Sequence, residues 1–124
     1  MRTLLVFVVA LSVSGCTRWF LDQHLDNAYR AYERGDCARV MLELSNAERK
    51  SRSRRYLQPE ISLLRGQCLE RQKLFVDAAQ TYEFLQARYP TSEYAFRAHA
   101  RLETLRQLGH YPMHVPAKAS SAAR

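Results

Sequence analysis

Three cysteines, four histidines and one dense run of cations are the residues of this 124-residue chain whose types and spacing could do chemistry. His110 and His114 have the four-residue spacing that presents two imidazoles to one metal ion from a helix face. Pro112 stands between them and argues against that helix, so no metal site is expected there. His24 and His99 fall inside helical patterns and read as packing or surface residues. The chain has no Gly-rich phosphate loop, no Gly-x-Ser-x-Gly elbow and no Cys-x-x-Cys pair. Its carboxylates are scattered. The expectation is a non-enzymatic protein with no catalytic residue, no metal and no cofactor.

The cations are Arg49, Lys50, Arg52, Arg54 and Arg55, five in seven residues. They contribute to an excess of 19 Lys and Arg over 12 Asp and Glu, a formal charge of +7. Such a balance favours anionic partners and says nothing about fold. In a cytosolic protein this run would raise nucleic acid as a partner. The other readings are lipid head groups, lipopolysaccharide phosphates, an acidic protein patch, or a solvated loop that aids solubility.

The elements that must position these residues are helices. The chain is 47% hydrophobic and 25% charged, which excludes wholesale disorder and a polytopic membrane protein. Its length allows one small domain. Leu21, Leu25, Ala28, Tyr29 and Tyr32 repeat with the period of a helix running from about Trp19 to Arg34. Gly35 ends it and Asp36 caps the next. That second helix carries Cys37, Val40, Met41, Leu44 and Ala47 on one face and dissolves into the basic run. A third opens near Pro59 with Ile61, Leu64, Cys68 and Leu69. A fourth carries Phe75, Ala78, Ala79, Tyr82, Leu85 and Tyr89, and stops at Pro90. Thr91 or Ser92 caps a fifth, with Tyr94, Ala98, Leu102, Leu105 and Leu108, which Gly109 closes. No segment alternates with the period of a strand.

Residues 1–15 stand apart. Arg2 precedes an apolar run from Leu4 to Val13 that is too short to span a bilayer as a permanent helix, so it reads as a signal-peptide core. Leu11 followed by Val13-Ser14-Gly15-Cys16 resembles the lipobox of bacterial lipoproteins. The resemblance implies cleavage before Cys16 and acyl chains on its sulfur and on the new amino terminus. In that family an Asp after the Cys commonly means inner-membrane retention. Thr17 stands there instead, which implies a periplasm-facing anchor in the outer membrane. Behind such a signal the nucleic-acid reading of the basic run falls away, leaving anionic lipid, lipopolysaccharide or an acidic protein.

The helices also carry an internal repeat. Cys37 aligns with Phe75, a period of 38, as a 34-residue unit with four extra residues in the basic stretch would give. With Gly66 on the glycine of the tetratricopeptide pattern, Leu69, Ala78, Tyr82 and Pro90 fall on its tyrosine, alanine, phenylalanine and proline. Ser62 and Arg65 depart from its tryptophan and leucine. The chain therefore resembles a tetratricopeptide-repeat protein. Residues 59–92 form one repeat and 21–54 a divergent first one. A third first-helix follows, with Phe96 and Ala100 in the tryptophan and glycine places. The stretch from Ala87 to Ala95 is similar to repeats of outer-membrane lipoproteins of the barrel-assembly and cell-division-coordinator type.

The expected fold is all-α, with about two and a half antiparallel helix pairs in a short solenoid. Its divisions are a signal (1–15), a lipidated tether (16–20), the helical domain (21–109) and a disordered tail (110–124). Gly66 and Ala78 would let paired helices approach, with Tyr82 and Leu85 filling the space beside them. If the second and third helices are antiparallel neighbours, Cys37 and Cys68 can meet. They are then either a disulfide, which the periplasm permits, or two buried thiols. Stacked helix pairs form a concave face suited to a peptide or partner helix. Tyr29, Arg30, Arg65, Arg97 and Arg101 lie off the packing stripes and are the candidate contacts. The resemblance implies an adaptor or assembly factor for an envelope complex. The alternative is a small periplasmic inhibitor, immunity or structural lipoprotein.

Overall fold

A computed structural model describes residues 19–52 and 54–111 of the chain. The protein is all-α, and the described residues include no strand. Helix α1 covers residues 19–33. It is followed by α2 (Cys37–Lys50), a 3-10 turn (Arg55–Leu57), α3 (Gln58–Arg71), α4 (Phe75–Arg88) and α5 (Glu93–Gln107). No helix among these residues is long and apolar enough to cross a membrane. The signal segment, Cys16 and residues 112–124 of the tail lie outside the described residues.

The ends of the helices follow from local chemistry. The Asp36 carboxylate accepts from the Arg39 N–H at 3.0 Å, and the Ser92 hydroxyl accepts from the Tyr94 N–H at 3.2 Å. Both satisfy donors that the first turn of a helix leaves free. Pro59 sits in the first turn of α3, where its missing N–H costs nothing. Helix α4 ends at Arg88, and Tyr89 (φ −133°, ψ 54°) has left the helical region before Pro90.

One ending occurs three times. The Asp36 N–H donates to the Ala31 carbonyl and the Gly35 N–H to that of Tyr32, each at 2.9 Å. Leu74 and Lys73 bond back to Leu69 and Glu70 at the same distance, and His110 and Gly109 to Leu105 and Arg106 at 2.9 and 3.0 Å. These bonds need a left-handed residue, supplied by Gly35 (φ 76°), Lys73 (φ 62°) and Gly109 (φ 72°). For lysine that conformation is strained by its Cβ.

Two apolar clusters share α3. Leu21, Leu25 and Ala28 pack with Val40, Leu44 and Ala47 of α2 against Ile61, Leu64 and Cys68 of α3. Leu63 of α3 joins Ala78, Ala79, Tyr82 and Leu85 of α4 and Ala98, Leu102 and Leu105 of α5. Gly66 admits the Tyr82 ring: a methyl group there would lie 2.5 Å from its Cε1. A disulfide joins Cys37 to Cys68, with Cα atoms 5.5 Å apart, and ties α2 to α3.

The structure departs from the sequence reading in places. Arg49 and Lys50 belong to the last turn of α2, where cations favour the helix dipole, so the helix outlasts the start of the basic run. Leu108 is 62% exposed and outside the core, because α5 ends one residue before it. Trp19 and Phe20 are helical, as the helix expected from about Trp19 requires, so the tether boundary at residue 20 falls inside α1. His110 stacks on Phe75 with ring centroids 3.9 Å apart, and Tyr111 packs on the second cluster. Those two residues thus belong to the domain and not to the tail.

Candidate functional site

Helix α3 presents two opposite faces between its neighbours. At about 100° per residue, Gln67, Glu70 and Arg71 point one way while Gln58, Ser62 and Arg65 point the other. Each set lines a different cleft.

The first cleft, about 270 Å³, lies along α1, α3 and α5 and is lined by Tyr32, Gln67, Glu70, Arg71, Phe75 and Arg101. Glu70 accepts hydrogen bonds from the Tyr82 hydroxyl at 3.0 Å and from Arg101 Nε at 3.1 Å, and Arg101 adds a second bond through Nη2. These bonds hold the Arg101 guanidinium further into its charged range. Burial, helped by the neighbouring Glu70 carboxylate, pushes the Tyr82 phenol up. The Arg71 guanidinium lies 3.6 Å over the Tyr32 ring and donates to the Tyr32 carbonyl oxygen. Further along the same face the Tyr29 hydroxyl donates to Glu60 Oε1 at 2.7 Å. Burial first, and then Glu60, raise the titration of both Tyr29 and Tyr94. The face therefore offers fixed donors, fixed acceptors and aromatic rings side by side.

The five candidate contacts do not share this face. Tyr29 and Arg101 lie on it, each tied to a glutamate of α3. Arg97, one turn before Arg101 on α5, lies on the same side beside Tyr94, with its guanidinium 5.9 Å from that ring, and pairs with Glu93. Arg30 borders a separate depression beside Trp19, Asp22 and Asp26. Arg65 is on the opposite side. Its Nη1 and Nη2 donate to Glu48 Oε1 and Oε2 of α2 at 3.0 and 2.9 Å, which holds the Glu48 carboxyl below its ordinary range. It borders the second cleft, about 620 Å³, together with Leu69, Gln80 and Phe84. Arg65 thus ties α2 to α3 at the edge of the second cleft, away from the face that holds Tyr29 and Arg101.

The sequence reading missed Glu43. Only 3% exposed, it accepts from Arg39 Nε at 2.9 Å through Oε1, and its Oε2 lies 2.6 Å from His24 Nδ1. This buried carboxylate locks α1 to α2, and it is the reason His24 faces inward. No group of three or more His, Cys, Asp or Glu able to hold a metal occurs among the described residues. His114 lies outside them.

In the basic run Arg49, Lys50, Arg52 and Arg55 are exposed and Arg54 is half-buried. None of the five takes part in the ion pairs of the described residues. The Lys50 ammonium lies 4.6 Å over the Phe20 ring.

No family model matches this chain, and no curated protein or solved structure matches it either.

Proposed function

We propose that the protein is a lipid-anchored adaptor of the bacterial cell envelope, built as a short tetratricopeptide-like solenoid. Its anchor is Cys16 in the outer membrane, its domain faces the periplasm, and it acts without a cofactor or a reaction of its own. The observation that carries the repeat reading is the helix ending that recurs at Gly35, Lys73 and Gly109, at intervals of 38 and 36 residues. The close approach of Gly66 to Tyr82, at the glycine of the repeat pattern, supports it. So does α3, which serves as core for the helices on both sides of it. The Cys37–Cys68 disulfide suits an oxidising compartment.

The partner surface in this reading is the face of α1, α3 and α5 around Tyr32, Gln67, Glu70, Arg71, Phe75 and Arg101. It suits an extended peptide, whose main-chain carbonyls meet the Gln67 amide and the N–H groups that Arg71 and Arg101 do not donate to Tyr32 and Glu70, and whose side chains pack along the edges of Tyr32 and Phe75. The test is a crosslinked pull-down of the protein from its own envelope beside a Cys16→Ala control. A discrete set of envelope proteins that is lost in the control is the expected result. Recovery of a single soluble enzyme or toxin, equal in both, would replace the adaptor with an inhibitor.

A further inference from the structure

We propose that the end of the molecule carrying Trp19, Phe20 and the α2–α3 connection is a membrane-facing surface that docks on the anionic phospholipid head groups of a bilayer. The inference rests on the reading of Cys16 as the lipid anchor, and it deepens that reading. The structure brings together two features that the sequence keeps about thirty residues apart. At the start of α1, Trp19 and Phe20 are 63% and 42% exposed, their rings edge-to-face at 5.2 Å. At the end of α2, Lys50 reaches over Phe20 at 4.6 Å, which places the basic run at the same end of the α1–α2 pair. Tyr56, 70% exposed, follows on the 3-10 turn of that connection.

Exposed tryptophan and phenylalanine are costly in water and well placed at a bilayer interface. Arg49, Lys50, Arg52, Arg54 and Arg55 supply cations without a carboxylate partner among the described residues. The nearest acidic groups on α1, Asp22 and Asp26, line a depression with Trp19 and Arg30 and leave the run itself cationic. Anionic lipid surfaces attract such clusters over roughly one Debye length, about 8 Å at physiological salt. Chain length closes the argument. Three peptide units separate Cys16 from Trp19, so an acylated Cys16 holds this end within about 11 Å of its attachment point in the bilayer. The opposite end of the pair, with Gly35 and Asp36, then points away from the membrane, and the face of α1, α3 and α5 stands upright on it.

Trp19 is the only tryptophan and therefore a native probe. The full-length protein is purified from envelope membranes, and its N-terminal peptide is weighed by mass spectrometry. The intact protein is then reconstituted into phosphatidylcholine vesicles containing phosphatidylglycerol brominated on its acyl chains. The expected result is an acyl mass on Cys16 and a Trp19 emission quenched about twofold or more, as for a ring at the head-group boundary. The quenching falls when all five cations are replaced by Gln. It also falls for the unaltered protein at about 1 M salt, where screening shortens to about 3 Å. An acylated protein whose Trp19 stays unquenched overturns the docking, leaves the anchor standing and assigns the cationic run to a soluble acidic partner. A missing acyl mass overturns the anchor, and the docking proposal with it.

Discussion

Replacing Gly66 by Ala tests the packing that everything else in the domain depends on. In an unconstrained helix this change is favourable by about 1 kcal/mol, because glycine is the poorer helix former. Here the added methyl would meet Tyr82 at 2.5 Å from Cε1, 3.0 Å from Cδ1 and 3.1 Å from Cζ. Carbon pairs rest at about 3.5–4.0 Å, so the ring must retreat by about 1 Å. Tyr82 has no room to do so cheaply. It is fully buried among Leu63, Ala78, Ala79 and Leu85, and its hydroxyl donates to Glu70 at 3.0 Å. Overpacking of this kind costs about 1–3 kcal/mol, and moving the ring strains that hydrogen bond as well. The net expectation is a loss of about 1–2 kcal/mol, or roughly 4–16 °C in Tm for a domain of this size. Urea and thermal unfolding of the oxidised protein, followed by circular dichroism, measure it. The Gly66→Ala, Tyr82→Leu double variant should lose less than the two single losses added together, because the smaller side chain makes room for the methyl. A Gly66→Ala variant more stable than the parent would refute the close approach of α3 and α4.

Three further outcomes follow from named contacts. Lys73→Gly relieves a left-handed residue of its Cβ at some cost in unfolded-chain entropy, and should raise stability by about 0.5–1 kcal/mol in urea melts. Reducing the Cys37–Cys68 disulfide, or the Cys37→Ser, Cys68→Ser double variant, reopens a loop of 31 residues and should cost about 3–4 kcal/mol in the same assay. Glu48 titrates below its ordinary value of 4.5 chiefly because Arg65 bonds it. Its share of stability is therefore present above that value and lost as pH falls through the lowered folded one. Arg65→Gln should flatten this acid limb of the stability–pH curve, and an unchanged limb would place the acid sensitivity elsewhere.

Helix ends were the most legible part of the sequence. Gly35, Asp36, Pro59, Pro90, Ser92 and Gly109 each act through local backbone chemistry, and each sits where that chemistry places it. Faces were legible for α1, α2 and α4, where one stripe meets one neighbouring layer. Helix α3 resisted this reading. It buries Ile61, Leu63, Leu64, Gly66 and Cys68 together, because it packs against helices on several sides. Periodicity gives such a helix no single outer face, so it does not separate Arg65, which bonds Glu48 of α2, from the residues on the opposite side of the helix. Glu43 was invisible for another reason. A charged residue in a periodic pattern is assigned to solvent, and the burial of Glu43 rests on two partners, Arg39 one turn back and His24, 19 residues away, of which the second leaves no local mark. Lys73 carries no local signal for its left-handed backbone, and only its register with Gly35 points to it. The association of Phe20 with Lys50 depends on two helices packing and had no local mark at all.

The most direct measurement of the adaptor reading is site-specific photocrosslinking in living cells. A photoreactive amino acid replaces Gln67, on the cleft facing α1 and α5, or Gln80, on the cleft behind α3. The account predicts a discrete adduct with one envelope protein from position 67 that is missing from position 80 and weakened by Arg71→Glu. Adducts from position 80 alone, or from neither position in an envelope where the protein is abundant, would contradict it.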